Sequence, residues 1–420
     1  MTKNRQQRTA ALAMLGLAVT AACGSTAATT AAGLQISDVA RVQAPADAPV
    51  APAADGIAAF GADLLHEVGS DSQGNVVVSP ASLSLLFAML RPGARGQTGR
   101  QIDNVLHFPA DGLGAAYNAL SSSWTGLADG GRHAPELSIG NALWAQDGLP
   151  LKSAYLDQIA RDFAAGVRTV DFASPSAANT INAWVQQQTH GRIDKLFDQL
   201  DPSTKLVLTN AVYLKATWKS PFAAGETYDA TFDTSSGGST RVPTMHATQT
   251  YDYATGPRWR AVRLPYVGGL SMEVLLPNRR DGDPMTLLDP ATLASATGMA
   301  ERRPVELALP KWDFQSDLPL TVALQAMGMR DAFSSAADFS VMSPQALAIS
   351  QVQHRADITV DEKGTVAAAV SGLAMPTSAV VPPPHVVQLH VDHPFAFVIV
   401  DDASGAPLFE GTVGDPSATQ

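Results

Sequence analysis

Apolar residues recur at helical spacing at Ile57, Phe60, Leu64, Leu65 and Val68, so a first helix is expected over 55–68. Ser79-Pro80 then reads as an N-cap with proline at the first helical position. It opens a nearly all-apolar helix through Leu90 that must be buried on most of its circumference. Further helices are expected over 112–127, 153–163 and 174–189, and a short one over 318–327. Residues 137–144 alternate as a strand, whereas 206–216 form a long apolar run suited to a strand covered on both faces. After that run the pattern turns to β: short strands are expected at 226–233, 239–250, 259–266, 270–277, 305–314, 395–401 and 408–413, with one more ending at Val360. Helices with interspersed strands followed by a β-rich half predict an α+β fold with more than one sheet.

One stretch departs from this pattern. Residues 356–360 alternate as a half-buried strand, Gly364 frees the backbone to bend, and an uncharged segment follows until Pro382-Pro383-Pro384 holds the chain extended. The segment is too apolar for an ordinary loop and too long for a hairpin turn. With period two, one face is Thr365, Ala367, Ala369, Ser371, Leu373 and Met375, and the other is Val366, Ala368, Val370, Gly372 and Ala374. Neither face carries a charge, and the leading positions are small. The segment is therefore able to enter a sheet as a central strand without burying an ion. Its alanine content fits a plain linker or a short helix equally well.

The 420 residues, 45% of them apolar, are enough for one large domain or two. The net charge of −11 makes nucleic acid a poor partner. At the start, Lys3, Arg5 and Arg8 precede an apolar run, Ala10 to Ala22, that is too short to span a membrane. Thr20-Ala21-Ala22-Cys23 resembles a bacterial lipobox, in which the cysteine becomes the lipidated first residue. The alternative is a conventional signal peptide cut after a small residue. Cys23 is the one cysteine in the sequence and has no partner for a disulfide. On either reading the protein is expected to be exported. Residues 24–54, rich in Ala, Thr and Pro, are expected to be a flexible tether, with the globular part beginning near Asp55.

The sequence carries no nucleophile elbow, zinc-protease helix, phosphate loop or dinucleotide fingerprint. His385, His390 and His393 have no standard metal spacing and are read as surface or strand histidines. Ser79, Ser82, Asn210 and His354 invite comparison with a Ser-His hydrolase. The simpler reading is that they satisfy one another's hydrogen bonds beneath a sheet, because the serines open a buried helix and Asn210 sits in an apolar strand. No cofactor and no metal are expected.

Five blocks carry a resemblance: Asn75 to Leu83, Leu206 to Tyr213 with Trp218, Pro221 and Phe222, Val360 to Thr365, Asp392 to Phe395, and Pro407 to Val413. In their order and spacing the sequence resembles the serpin family over nearly all of residues 55 to 418. The resemblance implies three β-sheets, about nine helices and an exposed reactive-centre loop. It makes Glu362, Gly364, Thr365, Val366, Ala367, Ala368, Ala369 and Val370 the hinge. Ser79, Ser82, Asn210 and His354 become the shutter under the large sheet, and Trp218 the breach at its top. The family's loop length places the cleaved bond between Ser378 and Ala379, with Met375, Thr377 and Val380 as alternative positions before the cut. Pro376 departs from the usual arm and threatens to shorten the inserted strand. The implied activity is inhibition of a serine protease by trapping its acyl-enzyme as a monomer. The uncharged candidate residues favour elastase-, subtilisin- or chymotrypsin-like targets over trypsin-like ones. The alternative is a non-inhibitory relative acting as a binding module.

Overall fold

The computed structural model describes residues 33–69, 71, 74–131, 134–365 and 385–418. Among them are eight α-helices: α1 (Val50–Val68), α2 (Pro80–Leu90), α3 (Gly96–Val105), α4 (Leu113–Gly126), α5 (Ser153–Phe163), α6 (Ala177–Gln188), α7 (Pro290–Gly298) and α8 (Thr321–Ala326). The strands are β1 (Gly33–Gln35), β2 (Val76–Val78), β3 (Glu136–Gln146), β4 (Val167–Val170), β5 (Leu206–Thr217), β6 (Thr227–Asp233), β7 (Ser239–Thr255) and β8 (Trp259–Pro265). They continue with β9 (Leu270–Pro277), β10 (Glu301–Pro310), β11 (Trp312–Pro319), β12 (Gln351–Asp361), β13 (Gly364–Thr365), β14 (Val387–His390), β15 (Phe395–Asp401) and β16 (Pro407–Val413).

Two hydrogen-bonded networks result. A seven-stranded sheet has the order β1-β4-β3-β5-β13-β12-β11, and a nine-stranded one runs β14-β10-β7-β8-β9-β15-β16-β2 with β6 on β7. The second and third sheets expected from the resemblance are joined because β7 is 17 residues long. Its first part pairs with β6 and β10, and its last residues pair with β8.

The apolar pattern explains the large sheet's central position. Along β5, Leu206 to Leu214 are all buried, as an apolar run covered on both faces requires. On one face lies α2, every residue of which is buried; Ser79 caps it by accepting from the Ser82 N–H, and Pro80 occupies the first turn, where no N–H is needed. On the other face α6 and the segment after it pack Ile181, Val185, Ile193 and Phe197 against Ala142, Trp144, Val207 and Ala211.

Three expectations need correction. The supposed tether is part of the fold from Gly33 onward: β1 pairs with β4, and the Arg41 guanidinium donates to Asn118 and Ser121 of α4. A three-residue edge strand leaves too faint an alternation to be seen in an Ala/Pro-rich sequence. The first helix begins at Val50, with Ala53 and Ala54 buried, because Pro52 falls in the first turn and alanine favours the helix. The strand expected over 305–314 is two strands. β10 ends at Pro310 in one network, Lys311 turns the chain, and β11 continues in the other.

Candidate functional site

In the large sheet β5 and β12 are parallel neighbours, with Val207 through Tyr213 facing Gln351 through Asp357. Above Tyr213 and Asp357 they diverge, and the chain turns back at Glu362-Lys363 so that β13 lies between them. Gly364 pairs with both Thr217 and Asp361, and Thr365 with both Ala216 and Val360. The seam between β5 and β12 is therefore already parted at one end by the first two residues of the expected strand. Only glycine fits at 364. Its φ is +147°, and a Cβ there would stand 2.0 Å from the Ala216 carbonyl oxygen.

Several contacts pin this turn. The Trp218 N–H donates to the Lys363 carbonyl at 2.8 Å, and the Phe222 N–H to the Glu362 carbonyl at 2.8 Å. The Trp218 indole N–H donates to the Asp361 carbonyl at 2.9 Å. Trp218 stacks on Tyr266 with centroids 4.2 Å apart, and the Tyr266 hydroxyl lies 2.6 Å from that of Thr365. Lys311, placed where the chain crosses between networks, holds the Glu362 carboxylate at 2.9 Å. Burial works against that carboxylate, but the Lys311 hydrogen bond and charge help to keep it below its usual range.

Lower in the seam, the four residues read as a polar network come together, joined by Asn141. The Ser79 N–H donates to His354 Nε2 at 3.2 Å, which leaves Nδ1 as the donor to Asn210 Oδ1 at 2.6 Å. Asn210 Nδ2 donates to the Ser82 hydroxyl at 2.6 Å and to Asn141 Oδ1 at 2.5 Å. Asn141 in turn donates to the Ser82 carbonyl at 2.8 Å. Full burial pushes the His354 pKa down to about 3, so the ring is neutral. The Ser79 hydroxyl donates away from His354, to the Leu408 carbonyl at 2.6 Å. This is not a nucleophile beside its base. It is a set of bonds crossing from β3 and β5 to β12 over α2, with the Asn210–His354 bond spanning the seam.

Asn141, Tyr266 and Lys311 escaped the sequence reading. Asn141 had a signal, since it falls in phase with Leu137, Ile139 and Leu143 on the apolar face of its strand. Tyr266 and Lys311 had none, because their positions depend on strands distant in sequence. Val366, Ala367, Ala368, Ala369, Val370, Met375, Thr377, Ser378, Ala379, Val380 and Cys23 lie outside the described residues. Beyond the loop, His385 and His390 are exposed. His393 is buried, with Nε2 2.9 Å from the Pro277 carbonyl and Nδ1 2.8 Å from Asp392. Among the described residues no cluster able to hold a metal ion is formed.

Comparison with known proteins agrees with this geometry. The family model for Serpin (serine protease inhibitor) matches residues 55–416. An uncharacterized serpin-like protein of Thermococcus kodakarensis is 35% identical over 381 residues, covering 87% of this chain and 86% of its own. The leukocyte elastase inhibitor of Bos taurus is 33% identical over 360 residues, covering 82% and 93%. The native structure of tengpin, a thermophilic serpin, superposes with a TM-score of 0.82 at 25% identity, covering 92% of this chain and all of that one.

Proposed function

The chain belongs to the serpin family, and from that premise we propose that it inhibits serine proteases as a suicide substrate. The protease serine attacks the scissile carbonyl of the loop, an ester forms, and the new amine departs on the other side of the cut. The freed arm then extends β13 down the seam before water cleaves the ester.

The observation that carries this reading is the register of β13. Thr365 is opposite Ala216 on one side and Val360 on the other. Continued from either neighbour, the same alignment follows: Ala368 would come between Tyr213 and Asp357, Ser371 between Asn210 and His354, and Ala374 between Val207 and Gln351. The arm's Ser371 hydroxyl would then meet the two residues whose mutual bond it interrupts. Pro376 would fall past Gln351, where β12 begins, so its missing N–H would cost no bond in the seam. From Thr365 to Ala374 the arm would carry the tethered protease roughly 30 Å, at about 3.3 Å per residue. A misplacement of about 1 Å already slows chemistry by about 10²-fold.

The cut between Ser378 and Ala379, or after Met375, Thr377 or Val380, offers a protease only uncharged residues. Elastase- and subtilisin-like enzymes with shallow apolar pockets are the proposed targets, in keeping with the bovine relative's name. Denaturing gels after incubation with elastase and with trypsin test this. A covalent complex with elastase is expected; cleavage by both enzymes with no complex would make the protein a non-inhibitory member. Export, with Cys23 as the lipidated first residue, is proposed from the N-terminal sequence. Mass spectrometry of the mature N-terminus tests it, and an unmodified terminus at another residue would overturn it.

A further inference from the structure

We propose that Arg192 is a positioning residue that holds the seam shut and sets how fast a strand enters it. Residues 189–200 follow α6 across the outer face of the large sheet. They are tied to α6 by Asn182, whose amide accepts from the N–H groups of Leu196 and Phe197 and donates to the Phe197 carbonyl. They are tied to β5 by Ile193, which is fully buried in the cluster containing Val207 and Ala211. On the β12 side the attachments are polar: Arg355 donates to the Lys195 carbonyl, and Asp357 lies within the field of Arg192.

Arg192 acts on both edges of the seam. Its guanidinium lies over the Tyr213 ring, 5.3 Å from the centroid. Tyr213 of β5 is directly opposite Asp357 of β12, and the two form the uppermost direct pair, just below β13. Asp357 Oδ1 is buried without a hydrogen-bond partner, so the charges of Arg192, foremost, and of Arg355 compensate its carboxylate against burial and the neighbouring Asp313. A strand entering here would separate Tyr213 from Asp357 by one further strand spacing of about 4.8 Å. One guanidinium serves both residues only while they are neighbours. The contact therefore favours the closed sheet and is lost in the filled one.

The inference rests on the proposed strand insertion, and its test needs no protease. The probe is a synthetic peptide with the sequence of residues 366–375, whose uptake is followed on native gels and by the melting temperature. Arg192→Ala is expected to take up the peptide about tenfold faster than the wild-type protein. Arg192→Lys, which keeps the charge but not the planar stacking, should restore part of the difference. The peptide-free form of Arg192→Ala should melt lower while the peptide-filled form melts as the wild type does. On an Asp357→Asn background the Arg192→Ala change should add little. Tyr213→Leu, which removes the ring and leaves Arg192 in place, is the second variant should Arg192→Ala fold poorly, and it should also speed uptake. Equal uptake rates, or equal loss of stability in both forms, would overturn the role of Arg192. If the wild-type protein takes up no peptide, the insertion mechanism itself falls, and this role with it.

Discussion

The hydroxyls of Tyr266 and Thr365 lie 2.6 Å apart in the interior, joining the β8–β9 connection to the residue at which the arm enters the large sheet. Both side chains are buried, and Tyr266 is stacked on Trp218. Removing one hydroxyl strands the other, at a cost of about 1–3 kcal/mol, whereas removing both is close to neutral. Tyr266→Phe should therefore lower the melting temperature, and Thr365→Val in the same protein should recover most of the loss. A thermal melt of the two single variants and the double variant checks this.

Gly364→Ala should expel β13. The new Cβ would collide with the Ala216 carbonyl, and the positive φ adds strain of about 1–3 kcal/mol. With its first step blocked, the arm should insert more slowly. The expected outcome is a protein cut by elastase with less covalent complex and a smaller rise in melting temperature after the cut.

His354 links stability to pH. Burial drives the folded-state value down to about 3 from an unfolded value near 6.5, so between those values the unfolded chain binds the extra proton. Its contribution is full above pH 6.5 and is lost as pH falls, by about 1.4 kcal/mol per unit. His354→Gln should remove that slope below pH 6.5. Urea titrations of both proteins from pH 7 to pH 5 give the comparison; parallel curves would contradict it.

Glu410 acts with the opposite sign. Both carboxyl oxygens are buried without a hydrogen-bond partner, beneath α1, where Gly61 leaves the room they occupy. Burial raises the folded-state pKa well above 4.5, so the group is neutral when folded and ionises on unfolding, and stability is lost as pH rises above 4.5. The two slopes oppose each other between pH 4.5 and 6.5. Glu410→Met, which removes an unpartnered polar group from a packed site, should stabilise the protein by about 1–3 kcal/mol, with the larger gain at pH 8. Melting temperatures at pH 5 and pH 8 check both the sign and the trend.

Arg41→Ala should free the N-terminal strap. Its guanidinium makes three hydrogen bonds to Asn118 and Ser121, and the Asn118 amide donates to the Val42 carbonyl. Loss of these bonds is expected to cost about 1–3 kcal/mol and to expose residues 33–45 to proteolysis. Limited digestion followed by mass spectrometry reads it directly.

Much of the architecture was legible along the chain because burial imposes a period. Residues 206–214 and 80–90 are dominated by apolar side chains, and each became a segment buried along its whole length. The polar residues Ser79, Ser82 and Asn210 stood out because they sit in or open apolar runs, and they meet His354 beneath the sheet. Elements with weak or short periods escaped: β1 has three residues, β2 three, and β4 and β14 four each. Helix α3 is polar over most of its length, with only Thr98, Gly99, Ile102 and Val105 buried.

Local pattern determined most of the longer strands, where the chain must bend at Gly364, and that an uncharged arm follows the bend. It could not determine which two strands that arm divides. That depends on β5 and β12 being parallel neighbours although well over a hundred residues separate them in the sequence. Nor could it reveal that Lys311, Tyr266 and Arg192 gather along the same seam, since each is brought there by a different chain crossing. Pairing and packing are properties of distant segments meeting, so only the folded molecule specifies them.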